Sequence, residues 1–299
     1  MNTPVAYLAH EALVEPARPR AQIWRLLMGV ILIAGVYLLC NRVVFQYLHQ
    51  SMGEGADAFF DALHTGTTPL TLLLLLFSFG FMTVGVAVAA RVVHLRGLGT
   101  VLGRVSLLRQ QFVTVMIILI LLNVAVLILP PWSIGEPLEM NMSASRWLMF
   151  LPFGLIAVLV QVSAEEILFR GYLQQQLAAR FRSPLIWMVL PACLFGLGHY
   201  LPDDAGENAV LIAVWAAVFG MLMADLTARA GTLGPAIAIH LVNNVTAILF
   251  VSMPGELSGL SLYLSPFGMS DTEELRAWLP VDFAMMVVMW LAARLALRR

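Results

Sequence analysis

The sequence predicts an all-α, polytopic transmembrane helix bundle of about eight spans. Of its 299 residues, 60% are hydrophobic and only 12% are charged, about half the charged fraction of a soluble domain. Such a chain cannot cover a water-facing surface, so the lipid bilayer is its natural solvent. The net charge of −1 gives no indication of nucleic-acid binding. Cys40 and Cys193 lie in apolar runs and match neither a disulfide framework nor a metal-binding spacing.

Eight apolar segments could cross a bilayer core, which needs about 20 residues per helix. The segment 185–200 is the shortest of them and could be tilted or partly re-entrant. The first segment follows an arginine-rich stretch, and no small-residue cleavage site follows it. We therefore expect a transmembrane helix that is retained, rather than a cleaved signal peptide. The eight segments are roughly residues 24–45, 69–90, 112–129, 147–168, 185–200, 209–226, 234–252 and 282–297.

The placement of arginine favours an even number of spans, with the N- and C-termini both in the cytoplasm. With that orientation, the inner segments hold every arginine except Arg42, Arg146 and Arg276, as the positive-inside rule requires. All 17 basic residues are arginine, which weakly indicates a GC-rich, bacterial genome. We therefore expect an integral protein of a bacterial inner (plasma) membrane.

The chain divides into four regions, and no internal repeat is visible. Within the N-terminal region, we expect residues 1–20 to be mobile. We expect the loop 253–281 to fold over one face of the bundle. The four regions are a cytoplasmic N-terminal tail at 1–22, N-terminal transmembrane helices at 23–144, helices with the chemical motifs at 145–252, and the long loop with the final transmembrane helix at 253–299.

Ionisable side chains are costly inside a membrane and therefore mark candidate functional residues. The first cluster is Glu165-Glu166-Ile-Leu-Phe-Arg170. Glu166 and Arg170 are four positions apart on one helix face and can pair, whereas Glu165 lies about 100° around the helix. An unpaired carboxylate can act as a general base for water. A salt-bridged helix end explains Glu166 and Arg170 equally well.

Two more motifs place histidine in apolar helices. Phe195 and His199 share one helix face, next to glycines that allow another helix to approach closely. A lone histidine in this setting is more often a packing residue than a catalytic one. His240 and Asn244 are also one turn apart and together offer two hydrogen-bond donors, as the stabilisation of an oxyanion requires. The alternative for this pair is an ordinary interhelical hydrogen bond.

A hairpin of the fourth and fifth segments would bring the first two motifs together. If its helices meet near residues 180–184, antiparallel packing places Glu165 level with His199. His240 lies near the start of its own helix, so it reaches the same depth only if the hairpin 166–184 projects into the cytoplasm. The polar run Gln174-Gln175-Gln176 would permit such a projection.

Together, the three motifs resemble those of the CAAX prenyl endopeptidase and bacteriocin-processing family, the type II CAAX peptidases. The family pattern is Glu-Glu-x-x-x-Arg, Phe-x-x-x-His and His-x-x-x-Asn, and the resemblance covers roughly residues 145–250. It implies an intramembrane endopeptidase that cleaves membrane-anchored or prenylated protein or peptide substrates in the lipid bilayer. The implied roles are water activation by Glu165 with His199, orientation of the helix by Glu166 and Arg170, and oxyanion binding by His240 and Asn244.

The participation of a metal ion stays open. Glu165, His199 and His240 could be ligands of a catalytic zinc ion, and the same residues can also act without metal. No His-Glu-x-x-His zinc motif is present.

Two other function classes also stay open. One is a non-catalytic membrane scaffold or regulator of the same fold. The other is a proton-coupled transporter, because intramembrane glutamate and histidine also build proton relays. Transporters often carry internal repeats, and none is visible in this sequence.

Overall fold

The computed structural model describes residues 5–129 and 137–298, except for the side chain of Glu54. The expectations for residues 1–4, 130–136 and 299 therefore lie outside the described residues. These described residues are 81% helical, and six of the helices among them are long and apolar enough to cross a membrane. Two shorter apolar helices, Leu185–Leu197 and Gly234–Phe250, coincide with the remaining predicted segments. The all-α polytopic bundle is thus confirmed.

The first half of the chain forms three long helical spans. The break between the helices Ala56–Thr65 and Pro69–Ser78 has a local cause. Gly66 ends the first helix in a left-handed conformation, and Thr68 caps the start of the second. The helices are α1 (Glu11–Val14), α2 (Ile23–Met52), α3 (Ala56–Thr65), α4 (Pro69–Ser78), α5 (Gly80–Val92), α6 (Leu98–Leu102) and α7 (Val105–Ile128), with 3₁₀ turns at Val5–His10, Glu15–Arg20 and Gly53–Gly55.

The second half contains the motif-bearing helices, and three of them include π-helical segments. The helices are α8 (Ala144–Glu166), α9 (Gln174–Arg180), α10 (Leu190–Leu197), α11 (Pro202–Ala205), α12 (Ala209–Ala230), α13 (Gly234–Val245) and α14 (Thr272–Leu297), with a 3₁₀ turn at Gly206–Asn208. The π segments are Ile167–Leu173, which joins α8 to α9, Leu185–Val189, which leads into α10, and Thr246–Phe250, which follows α13.

The motif-bearing helices lie at the centre of the bundle. Of the long spans, the ones containing α8 and α12 have the largest buried share, whereas α2, α7 and α14 are mostly exposed on their outer faces. Helix α13 packs against both α7 and α8. Because α2, α7 and α14 present apolar side chains outward, they are the lipid-facing layer around a central group of helices.

The long loop after α13 packs against the segment that precedes α8 and against the end of α3. Its strand β3 (Tyr263–Leu264) pairs antiparallel with β1 (Glu139–Met140) and parallel with β2 (Val251–Ser252). The Leu257 amide donates to the Thr65 carbonyl at 2.7 Å. These bonds fasten the loop to the ends of α3 and α8.

The N-terminal segment, Val5–Arg20, is helical and packed, so the prediction of a mobile tail is wrong for the residues that the structure describes. Leu13, Val14 and Ala17 are buried, and the segment packs against α9 and α12. The Tyr7 hydroxyl donates to Asp225 at 2.8 Å, and Asp225 also accepts from Arg229 and from the indole of Trp290. The segment is thereby joined to α12 and α14.

The run Gln174-Gln175-Gln176 is buried within the protein, although its polarity is typical of a solvent-exposed segment. The Gln174 side chain donates to the Ala224 carbonyl at 3.1 Å, and the Gln175 side chain donates to the Val101 carbonyl at 2.7 Å. Backbone carbonyls from two other parts of the fold satisfy these amides, so a polar run is compatible with an interior position.

Candidate active site

The two adjacent carboxylates lie where α8 passes into a π-helical segment. Glu165 and Glu166 are the last residues of α8, and the π segment Ile167–Leu173 begins directly after them. Such wide turns often occur at functional sites, since they change the angular positions of the residues that follow. Glu166 is completely buried and Glu165 is 9% exposed. Buried carboxylates require partners.

Glu166 forms a buried three-residue cluster with Arg170 and His240. Arg170 donates to Glu166 Oε1 at 2.9 Å, in the i, i+4 arrangement expected from the sequence. His240 Nδ1 donates to the same oxygen at 2.8 Å. A carboxylate that accepts from Nδ1 fixes the orientation of the imidazole ring and leaves Nε2 free for chemistry. Glu166 is therefore placed to orient His240.

Glu165 faces the other nitrogen of the same ring. Its Oε2 atom lies 3.4 Å from His240 Nε2 and has no hydrogen-bond partner within the described structure. Arg170 neutralises only Glu166 by direct contact. The site therefore contains one carboxylate held in an ion pair and a second that remains available to accept a proton.

Asn244 lies one turn beyond His240 on α13 and is held by a residue that the motifs did not include. Its side-chain nitrogen donates to Gln161 Oε1 at 2.9 Å, and its oxygen accepts from Asn243 at 3.1 Å. One N–H of the Asn244 amide remains for another acceptor. Gln161 shares a helix face with Glu165, and its position as a polar residue in an apolar run could have signalled it.

Phe195 and Phe219 form an aromatic wall beside His240. The Phe195 ring lies 5.9 Å from the imidazole, and the Phe219 ring lies 5.0 Å from it. The Arg170 guanidinium lies 4.8 Å from the Phe195 ring, which adds a cation–π contact. The apolar partner in the second motif therefore fixes the positions of both His240 and Arg170.

His199 lies two residues beyond the end of α10, half-buried and apart from the carboxylates. Its Nδ1 donates to the Phe195 carbonyl at 2.9 Å, and its ring packs on the Phe195 ring at 4.5 Å. Within the described residues it makes no hydrogen bond with Glu165 or His240. Because Nδ1 donates to a carbonyl, Nε2 is the nitrogen that carries the free lone pair when the ring is neutral.

The hairpin is antiparallel, as expected, and the rings of Phe169 and Phe195 meet at 5.1 Å. His240 reaches Glu166, so the third motif meets the first at one level of the bundle. Two glycines allow α12 to pack closely against this hairpin. A Cβ atom at Gly196 would lie 2.5 Å from the Ala213 carbonyl, and one at Gly220 would lie 3.3 Å from Arg170 Nη2. These glycines let α12 approach both the hairpin and the buried guanidinium.

The candidate metal ligands Glu165, His199 and His240 are not arranged around one point among the described residues. A catalytic zinc ion needs three protein ligands within bonding distance of one point. Among the residues that the structure describes, no group of three or more His, Cys, Asp or Glu is arranged to hold a metal ion. Glu165 and His240 are adjacent, but His199 is directed at its own helix. We therefore derive no step through a metal ion.

Comparison with known proteins identifies the same region of the chain. Residues 147–246 match the sequence model of the family described as type II CAAX prenyl endopeptidase Rce1-like. The chain is also 24% identical over 255 residues to "Uncharacterized protein YyaK" of Bacillus subtilis (strain 168), with 82% of this chain and 84% of that protein covered. No solved structure matches the chain. The resemblance carried by the three motifs is thereby confirmed: over residues 147–246, this integral membrane protein has the sequence pattern of the type II CAAX prenyl endopeptidase family.

Proposed function

We propose that this protein is an intramembrane endopeptidase that hydrolyses peptide bonds of membrane-anchored protein or peptide substrates. One observation carries the proposal: two adjacent buried carboxylates face opposite nitrogens of one histidine, and arginine pairs with only one of them. This arrangement provides a free base beside a fixed imidazole. The family matched by residues 147–246 is one of endopeptidases, which supports the same reaction class.

In this mechanism, Glu165 accepts a proton from a water molecule as the water oxygen attacks the substrate carbonyl carbon. The carbonyl oxygen becomes an oxyanion in the tetrahedral intermediate. Glu165 then returns the proton to the departing nitrogen as the C–N bond breaks, so one group acts as base and then as acid. His199, whose Nε2 is free, is assigned to help orient the water.

The oxyanion is assigned to His240 and Asn244. The remaining N–H of the Asn244 amide is the donor, because Gln161 uses the other one. His240 Nδ1 donates to Glu166, so Nε2 is the nitrogen that faces the reacting groups, and it can donate to the oxyanion only when both ring nitrogens carry hydrogen. Donors fixed before the reaction stabilise developing charge without reorganisation, and losing one such donor costs roughly 100- to 1,000-fold in rate.

Glu166 and Arg170 are positioning residues in this scheme. Neither has to touch the substrate, since Glu166 is completely buried and Arg170 is 2% exposed. Glu166 orients the imidazole of His240, and Arg170 balances the negative charge of Glu166. A misplaced imidazole would affect the chemical step more than substrate binding.

The substrate class follows from where the site lies. The candidate residues are on apolar helices at the centre of a membrane bundle, so a suitable substrate reaches them from the membrane and carries a lipid anchor or a transmembrane segment. Prenylated C-termini are one such class. We place the protein in a bacterial inner membrane with both termini in the cytoplasm, from its arginine distribution.

The proposal can be tested by comparing protein termini in membranes from cells that express the native chain or Glu165→Gln at equal levels. The matched control is Glu273→Gln, an exposed glutamate at the start of α14. We expect new C-termini near membrane anchors with the native chain and the control, and not with Glu165→Gln. Identical termini in all three would contradict the proposal and favour a non-catalytic scaffold. Proton-coupled solute uptake by native proteoliposomes would instead favour a transporter.

A further inference from the structure

A buried arginine without a counter-ion lies at the arginine-rich end of α5, away from the carboxylates described above. Arg96 is only 5% exposed. Its Nη1 donates to Gln175 Oε1 at 3.1 Å, but its Nε and Nη2 atoms are buried without any hydrogen-bond partner. No carboxylate within the described chain forms an ion pair with it. The Nε and Nη2 atoms together carry three of the five guanidinium N–H bonds, and none of these three has a partner among the described residues.

The neighbouring groups are also basic or neutral. His94 Nδ1 donates to the Arg20 carbonyl at 3.0 Å, and its Nε2 accepts from the Tyr172 hydroxyl at 2.7 Å. Burial, together with the charges of Arg96, Arg25 and Arg20, lowers the pKa of His94 to about 4. His94 is thus neutral at physiological pH, and three guanidinium groups lie close enough to influence it.

Arg25 connects this interior to the protein surface. Its Nη1 donates to the Val93 carbonyl at 2.7 Å, while its Nε is buried and unpartnered. Arg20 and Arg25 are both half-buried, and neither forms an ion pair in the part of the chain that the structure describes. The guanidinium groups of Arg20 and Arg25 at the edge, and that of Arg96 inside, constitute what we call the cationic cluster.

An unpaired buried charge is strongly destabilising, and burial here lowers the pKa of Arg96 only to about 10, so Arg96 stays charged at neutral pH. Planar guanidinium groups with free N–H donors match the oxygens of a phosphate. We propose that the cationic cluster binds a phosphate-type anion, namely the headgroup phosphate of an anionic phospholipid.

The position of the cluster favours a lipid as the source of the phosphate. It lies between the start of α2 and the end of α5, where two membrane spans terminate. Trp24 is exposed beside it, and the Arg25 guanidinium stacks on that ring at 4.5 Å. Tryptophan and arginine are typical of the headgroup level of a membrane. Basic pockets between transmembrane helices at this level bind anionic headgroups.

This inference is independent of the proposed peptidase activity, so its test does not depend on cleavage. The native protein in detergent is titrated with dioleoylphosphatidylglycerol or dioleoylphosphatidylcholine, and bound lipid is counted by native mass spectrometry. Inorganic phosphate is titrated separately without lipid, with the unfolding temperature as the measurement.

The decisive variant is Arg96→Met, with Arg91→Met as its matched control. Arg91 is an exposed arginine in the last turn of α5. We expect phosphatidylglycerol to bind in preference to phosphatidylcholine and to bind at least about tenfold more weakly to Arg96→Met, the loss expected for a charge-assisted contact. We expect less than about a twofold change for Arg91→Met, as for an exposed charge.

The two sources of phosphate give different results. Arg96-dependent stabilisation by inorganic phosphate, without a preference for phosphatidylglycerol, would support the anion site and assign it to free phosphate. If Arg96→Met does not fold, Arg25→Gln replaces it, with weaker phosphatidylglycerol binding expected. Equal binding of both lipids to the native chain, together with no effect of inorganic phosphate, would overturn the proposal.

Discussion

Substitution of Arg170 by methionine tests whether the buried cluster is maintained by charge balance. Arg170 donates to Glu166 over 2.9 Å, and the two side chains are 2% and 0% exposed. With an effective dielectric constant of about 20, charges at that separation attract by roughly 6 kcal/mol before desolvation is subtracted. Arg170→Met removes the attraction but leaves Glu166 buried. We therefore expect a loss of about 3–5 kcal/mol in unfolding free energy.

The assay is a double-mutant cycle in detergent micelles, with unfolding followed by circular dichroism. Glu166→Gln alone leaves Arg170 buried and uncompensated, so it should cost a similar amount. The double variant contains neither charge. We expect it to be at least about 1 kcal/mol more stable than the sum of the single losses predicts, as for residues in direct contact.

Two results would refute this reasoning. If Arg170→Met is as stable as the native protein, Glu166 does not require a counter-ion. If the losses of the two single variants simply add, the 2.9 Å contact does not couple the two charges. A hydrophobic replacement of similar length is used so that the loss is not attributable to a cavity.

Three other predictions concern the surrounding packing. Burial lowers the pKa of His10 to about 4 from its ordinary 6.5, so between these pH values the unfolded chain binds a proton that the folded chain does not. Stability should fall by up to about 3 kcal/mol as the pH drops through that window, and thermal unfolding at each pH should show a smaller fall in His10→Asn. Gly234→Ala should lower the unfolding free energy by about 1–3 kcal/mol, since its Cβ would lie 2.3 Å from the Leu108 carbonyl; an unchanged melting temperature would refute this packing. Tyr7→Phe removes the bond to Asp225, should cost about 1 kcal/mol, and should speed limited proteolysis of the N-terminal segment.

Features that depend on local spacing were predictable from the sequence. The ion pair of Glu166 and Arg170 follows from their separation of four residues on one helix. The eight apolar segments follow from composition and length, and their order predicts an antiparallel hairpin. Local periodicity is set within one helix, so no knowledge of the remaining fold is needed.

Features that depend on the rotation of helices against one another could not be predicted. The π segment Ile167–Leu173 changes the phase of the helix after Glu166, so an α-helical projection misplaces the residues beyond it. Gln174 and its neighbours then face inward, where other backbone segments satisfy them. A phase shift of this kind has no recognised sequence signal, which is why the polar run indicated exposure.

The side-chain contacts within the site could not be predicted from the sequence either. The motifs brought Glu165 and His199 to one level, but the imidazole nearest Glu165 belongs to His240. Gln161 holds Asn244 although it lies outside every motif. Choosing among several polar groups at one depth requires side-chain rotamers and interhelical distances, and spacing along the chain contains neither.

The central claim is that Glu165 activates water for peptide hydrolysis. The most direct measurement is the rate at which purified protein in liposomes cleaves a lipid-anchored reporter peptide, compared between the native chain, Glu165→Gln and Glu273→Gln. We predict cleavage by the native chain and by Glu273→Gln, and a rate at least about 100-fold lower for Glu165→Gln, the contribution of a general base. Equal rates for the native chain and Glu165→Gln would contradict the account.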